Sequence, residues 1–234
     1  MFVKDEPVMK VGKYLVIADV HIGLTKDLWE SGISLPSQVK AMIQRLNALR
    51  KITKSKGLII VGDLKHKTTG ISMQERREVP EFLRGLKFTE IIVVKGNHDG
   101  HVEKLTAGIR KVSVRKSFSV GNYCFTHGHR AVSTKKKIIV IGHNHLCVRF
   151  RDDVGAVYTE QVWVSGKAVQ KDAKGVMHSK TIVIMPAFNE LCGYYSANKA
   201  KFHGPVASKL GGGAHVYMLD GIDLGRISNL KVKD

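Results

Sequence analysis

Five times within its first 145 residues the chain runs a short apolar stretch into residues of metal-ligand type. Tyr14-Leu15-Val16-Ile17-Ala18 empties into Asp19-Val20-His21, Leu58-Ile59-Ile60-Val61 into Gly62-Asp63, and Ile91-Ile92-Val93-Val94, by way of Lys95, into Gly96-Asn97-His98-Asp99. Tyr123-Cys124-Phe125 leads to Thr126-His127-Gly128-His129, and Ile138-Ile139-Val140-Ile141 to Gly142-His143-Asn144-His145. Runs this short and this continuous read as buried strands. In an extended backbone residues two apart point the same way, so Asp19 and His21 are expected to face one point.

What separates the runs sets the fold class. Between the first two, Val39, Met42, Ile43, Leu46 and Leu49 recur at helical spacing, with Pro36 in the first turn and Gly57 as the stop after Lys51, Lys54 and Lys56. The loop 23–35 is long enough to overhang the first strand, and its Trp29 is expected to pack. After Asp63 comes a polar segment, Gln74 to Arg77, and then a shorter helix around Val79, Phe82, Leu83 and Leu86, near Pro80. Strand, helix, strand, helix, strand with continuous apolar strands predicts a parallel sheet covered on both faces, with ligands at the carboxyl ends of its strands. From Val112 the elements shorten. Gly121-Asn122 suits a hairpin turn, and strands over 146–150, 156–163, 181–185 and 215–219 predict a second, more antiparallel sheet. A chain of 234 residues is read as one domain, 1–234.

Composition narrows the partners. The three cysteines, Cys124, Cys147 and Cys192, are widely spaced and form no CxxC, which fits reduced thiols. Lys4, Asp5 and Glu6 stand where a signal peptide needs its apolar core, and no run approaches a membrane span, so the cytoplasm is the expected location. A net charge of +18, from 38 Lys and Arg against 20 Asp and Glu, favours polyanions and nucleic acid first; a Lys-rich solvated surface is the competing reading.

The strand ends carry the chemistry. Asp19, His21, Asp63, Asn97, His127, His143 and His145 exceed what one tetrahedral zinc takes, and they suit two divalent ions that share one carboxylate. Asp63, the one ligand its strand supplies, is the natural bridge. Two such ions bring four positive charges and two Asp remove two. A bound hydroxide and a phosphodiester would balance the rest. In that scheme the hydroxide bridging the ions attacks phosphorus, His98 protonates the leaving oxygen, and Asp99 orients the His98 ring. His66 and His129 are candidate outer partners of the ligands or contacts for substrate.

Taken together, D19xH21, G62D63, G96N97H98D99, T126H127GH129 and G142H143xH145 resemble the calcineurin-like metallophosphoesterase superfamily. The resemblance implies two facing mixed β-sheets flanked by helices, a four-layer α/β/β/α sandwich. It also implies one metal on Asp19, His21, Asp63 and His145, and the other on Asp63, Asn97, His127 and His143. The opening ADVHIGL at 18–24, GDLKH at 62–66 and MPAFN at 185–189 followed by Gly193 are similar to the archaeal and bacterial branch that includes the DNA ligase-associated phosphoesterases. Lys65-His66-Lys67 stands where the protein phosphatases lead to a phosphate-gripping arginine.

The expectation is therefore a two-metal phosphodiesterase acting on a nucleotide or nucleic acid. Manganese is the preferred ion; zinc, iron, nickel or cobalt would also fit the ligand set. A phosphomonoesterase, or a binding scaffold that keeps the fold without turnover, are the alternatives.

Overall fold

The computed structural model describes residues 2–171, 177–198 and 201–230. Its first sheet has the order β1 (Met9–Val11), β2 (Tyr14–Ile17), β3 (Gly57–Val61), β4 (Glu90–Val94), β5 (Val112–Arg115); β1 is an antiparallel edge and the others are parallel. Helices α1 (Leu24–Glu30) and α2 (Val39–Thr53) join β2 to β3, α3 (Met73–Gly85) joins β3 to β4, and α4 (Val102–Thr106) joins β4 to β5.

The second sheet comprises β6 (Phe118–Val120), β7 (Tyr123–Phe125), β8 (Ile138–Ile141), β9 (Leu146–Arg151), β10 (Val157–Lys171), β11 (Met177–Ile184) and β12 (Tyr195–Ser196), in the order β12-β9-β10-β11-β8-β7-β6. β13 (His215–Met218) adds to β10, and β14 (Asp223–Arg226) adds to β13. Parallel pairs β7-β8, β8-β11 and β9-β12 sit among antiparallel ones, so this sheet is mixed as well. Both expected sheets form, and β10 and β11 run longer than the apolar patterns implied.

Strand alternation explains the layering. Leu15, Ile17, Leu58, Ile60, Ile91 and Val93 pack with Val39, Leu46, Val79 and Phe82 of α2 and α3. Their neighbours Val16, Ala18, Ile59, Val61, Ile92 and Val94 face the other way and meet Phe125, Val140, Trp163 and Val183 of the second sheet. Because both faces are covered, the pattern reads as a continuous apolar run. The outer face of the second sheet, with Ile139, Ile141, Val162 and Ile184, is covered by α5 (Gly204–Ala207), Leu210, Ile227 and Leu230. That fourth layer is thin.

Several local expectations are corrected. α2 begins at Val39, beyond Pro36, and ends at Lys54 in the left-handed conformation; Gly57 is already the first residue of β3. The polar segment 74–77 is not separate from the helix after it. It is the start of α3, where Ser72 and Glu75 form a capping box and Pro80 lies inside the helix. α1 occupies the expected loop, and Trp29 is 65% exposed where it was expected to pack.

Candidate metal centre

The ends of β2, β3, β4, β7 and β8 meet at one edge of the two sheets. The turn after β2 is clamped to the turn after β3: Asp19 N–H donates to Gly62 O at 3.2 Å, while Val20 and His21 N–H donate to Asp63 O at 3.1 and 2.8 Å. This clamp bends the backbone away from the extended geometry assumed for Asp19 and His21. Their φ angles are +54° and +45°, and Asp63, His143 and His145 are also left-handed, at +46°, +71° and +43°. Thus five of the eight described non-glycine residues with positive φ are candidate ligands. Such backbone costs of order 1–3 kcal/mol per residue and persists where the surroundings impose it. Asp19 and His21 converge because of that strain and not through strand alternation.

Asp63 stands at the middle. Its Oδ1 accepts from His98 N–H at 2.9 Å, and its Oδ2 lies 3.1 Å from His127 Nε2 and 3.7 Å from His21 Nε2. Donor atoms of Asp19, His21 and Asp63 lie within 4.8 Å of one another, and so do those of Asp63, His127 and His143. His145 Nε2 is 3.3 Å from His21 Nε2 and 3.4 Å from Asp19 Oδ1, while its Nδ1 donates to Gly193 O at 3.3 Å. Asn97 Oδ1 lies 3.0 Å from His127 Nε2. All seven expected ligand residues are therefore gathered at one place, with His143 and His145 turned to different donor groups.

The donor set fits a cation. His127 Nδ1 donates its proton to Val61 O at 3.1 Å, so Nε2 of the neutral ring presents a lone pair to the oxygens of Asp63 and Asn97. Three acceptors at about 3 Å repel unless positive charge sits among them. Without a metal, only a proton can supply it. Burial works against that proton, yet the Asp63 and Asp19 charges raise His127 to about 9. Burial likewise opposes the charged form of Asp19 and Asp63, but the imidazoles of His145 and His127, respectively, hold their carboxyls below the usual range. Burial lowers His21 to about 3 and, with the charge on His127, His143 to about 4, which leaves both rings neutral and able to donate lone pairs.

The other expected residues divide. His98 is at the site, its Nε2 3.9 Å from Asp63 Oδ2, but Asp99 does not orient its ring. His98 Nδ1 bonds to the His66 carbonyl oxygen. The Asp99 carboxylate is fully buried and accepts from Gly96 N–H at 2.8 Å and Lys65 N–H at 3.2 Å, so it shapes the turns that present Asn97 and Asp63. Burial and then the Asp63 charge push it up to about 6. His66 touches a candidate ligand directly, Nδ1 to His21 Nδ1 at 3.2 Å. His129 lies ring to ring with His127 and His143, and its buried Nδ1 has no hydrogen-bond partner among the described residues. Lys65 is wholly buried and bonds the Lys67 carbonyl, so it does not face a substrate.

A sequence profile of the calcineurin-like phosphoesterases matches residues 12–200. The chain belongs to the calcineurin-like phosphoesterase family. It is a metal-dependent phosphoesterase, acting on phosphate esters. No curated protein matches it by sequence. Among solved structures, the Pseudomonas putida nuclease MPE superposes with a TM-score of 0.53 at 18% identity, over 89% of this chain and 85% of that one, and so shares the fold. An archaeal phosphodiesterase aligns at 0.39 and 16% identity over 77% and 87% of the two chains, and the E. coli phosphoesterase Yfce at 0.37 and 18% over 59% and 73%.

Sequence reading of this phosphoesterase missed two side chains at the site. Cys192, from the segment after MPAFN, is buried, and its Sγ lies within 4.8 Å of donor atoms of His21 and His145. Asp27 Oδ2 is 3.2 Å from His66 Nε2. Neither stands at the end of an apolar run, which was the signal used. Asn144, the non-ligand of GHNH, is fully buried and accepts from His203 N–H at 2.8 Å, which fixes the 203 segment beside His143. Among the described residues no helix is long and apolar enough to cross a membrane.

Proposed function

We propose that this phosphoesterase is a two-metal phosphodiesterase for nucleotides or nucleic acid, with His98 as the general acid. The observation that carries the reading is the double membership of Asp63, which shares one donor group with Asp19 and His21 and another with His127 and His143. A carboxylate so placed is suited to bridge two ions. Asp19, His21 and His145 would complete one ion's ligands, and Asn97, His127 and His143 the other's. Manganese suits the mixed imidazole, carboxylate and amide set, and zinc, iron, nickel or cobalt fit it too. Bound there, two divalent ions would neutralise phosphate oxygens and lower the pKa of water.

The protein's own groups supply the rest. His98 Nδ1 is committed to the His66 carbonyl, so Nε2 is the nitrogen free to hold a proton toward a leaving oxygen. A nucleic-acid substrate is favoured by a cavity of about 410 Å³ that opens beside Asn97 and His129 and is lined by Lys95, Lys116 and Arg130. Cations there suit the phosphates on either side of a scissile bond.

The test is His98→Asn against wild type, both Mn-loaded, on a phosphodiester, a phosphomonoester, and single- and double-stranded DNA and RNA. The variant should keep its metal and lose about 10²- to 10⁴-fold in rate on esters with poor leaving groups. An unchanged rate would end the role of His98 as acid. Faster turnover of the monoester than of any diester would replace the diesterase reading with the phosphomonoesterase one.

A further inference from the structure

α1, which follows the His21 turn, has no fully buried residue. Polar contacts tie it down. Gln74 Nε2 donates to Thr25 Oγ1 at 2.7 Å, and Asp27 Oδ2 meets His66 Nε2 at 3.2 Å. Across the same imidazole, Nδ1 is 3.2 Å from His21 Nδ1, and the backbone carbonyl of His66 bonds to His98 Nδ1. One residue thus touches a candidate ligand with its side chain and the candidate acid with its backbone.

Proton placement along this chain follows link by link. His21 Nε2 faces Asp63 and His145, and for it to offer a lone pair there the ring proton has to be on Nδ1. His66 Nδ1 must then accept, which puts the His66 proton on Nε2. That edge needs an acceptor, and the Asp27 carboxylate is one. The opposite tautomer of His66 would set two N–H groups against each other at 3.2 Å and aim a lone pair at a carboxylate.

We propose that Asp27 and His66 are positioning residues. Asp27 fixes the tautomer of His66, and His66 fixes His21 as a lone-pair donor through its Nε2, while its carbonyl orients His98. This inference rests on the two-metal reading, since it assigns His21 Nε2 to an ion. Outer partners of metal-bound histidines tune affinity in this way, by about 10- to 100-fold.

Asp27 is half exposed, so replacing it leaves the core intact. In the zinc-loaded wild type, long-range proton–nitrogen correlation spectra should place the ring proton on Nδ1 of His21 and on Nε2 of His66. Titrated with Mn(II), Asp27→Ala should weaken one of two binding steps by about 10-fold or more, with the other step and the metal-free melting temperature unchanged. Asp27→Asn, whose amide oxygen still accepts, should keep most of the affinity. A His66 proton on Nδ1, or a loss spread equally over both steps with a lowered melting temperature, overturns the proposal. Two equally tight steps in Asp27→Ala and wild type overturn it alone. A wild type that binds no Mn(II) overturns the two-metal reading and this inference with it.

Discussion

At Gly96 a side chain has no place to go: a Cβ would lie 2.0 Å from Asp63 Oδ1 and 2.5 Å from the Asp63 amide nitrogen. One of those atoms is backbone, so the clash is not relieved by rotating a side chain. Gly96→Ala should displace the shared carboxylate, giving metal content well below wild type and a lower melting temperature; full metal loading would show that the turn yields. Asp63→Asn makes the complementary change, keeping the shape and removing the charge. It should lose both ions and activity together, and normal metal content with normal turnover would remove the bridging role. The candidate ligands were legible because each stands at the end of an apolar run. The left-handed backbone of Asp19, His21 and Asp63 was not, since it accompanies amide bonds between the β2 and β3 turns, which no single segment contains. Asp99 was misread for a related reason: adjacency to His98 suggested a ring partner, but the buried amides of Gly96 and Lys65 take its carboxylate.

Helix α3 shows what elements hide from a sequence pattern. Glu75 reads as a solvent-facing charge in a polar stretch, yet it is fully buried because its carboxylate accepts from the amides of Ser72 and Lys67. Ser72 completes the box by accepting from Glu75 N–H at 3.2 Å. Ser72→Ala should cost about 1 kcal/mol, which in a chain of this size lowers the melting temperature by about 2–4 °C. Pro80 pulls the other way. Inside a helix it removes an amide donor and crowds the carbonyl four residues back. Pro80→Ala should therefore raise the melting temperature, and a decrease would mean that the proline fits its local bend. Both are read by thermal unfolding of the metal-free protein. α2, by contrast, was legible from its apolar face, and only its ends were misplaced, where local capping by Lys54 outranks the later glycine.

Across the whole molecule the two-sheet architecture was readable because apolar runs separated by helices give way after Val112 to shorter elements without long helices between them. The thin fourth layer was not, because α5 is four residues long and the remaining cover is irregular. Net charge was equally plain in composition, but composition has no direction. Lys95, Lys116 and Arg130 line the cavity that opens at Asn97 and His129, which makes that cavity the place to test it. Lys95 is already engaged, its Nζ 2.7 Å from Glu103 Oε1, so Lys116 and Arg130 are the better probes of phosphate contact. Each phosphate contact releases condensed counterions, so single-stranded DNA binding to the metal-free protein should weaken steeply with salt. Lys116→Ala and Arg130→Ala should each reduce the slope of log affinity against log salt by about 0.7, the single-strand value per contact. An exposed lysine at the opposite end of the first sheet, Lys56 just before β3, should leave the slope unchanged when replaced by alanine. If all three variants change it equally, the +18 charge acts as a diffuse field and the cavity is not where the strand lies. If none does and affinity ignores salt, the charge belongs to solvation, and a small phosphodiester becomes the better substrate to pursue.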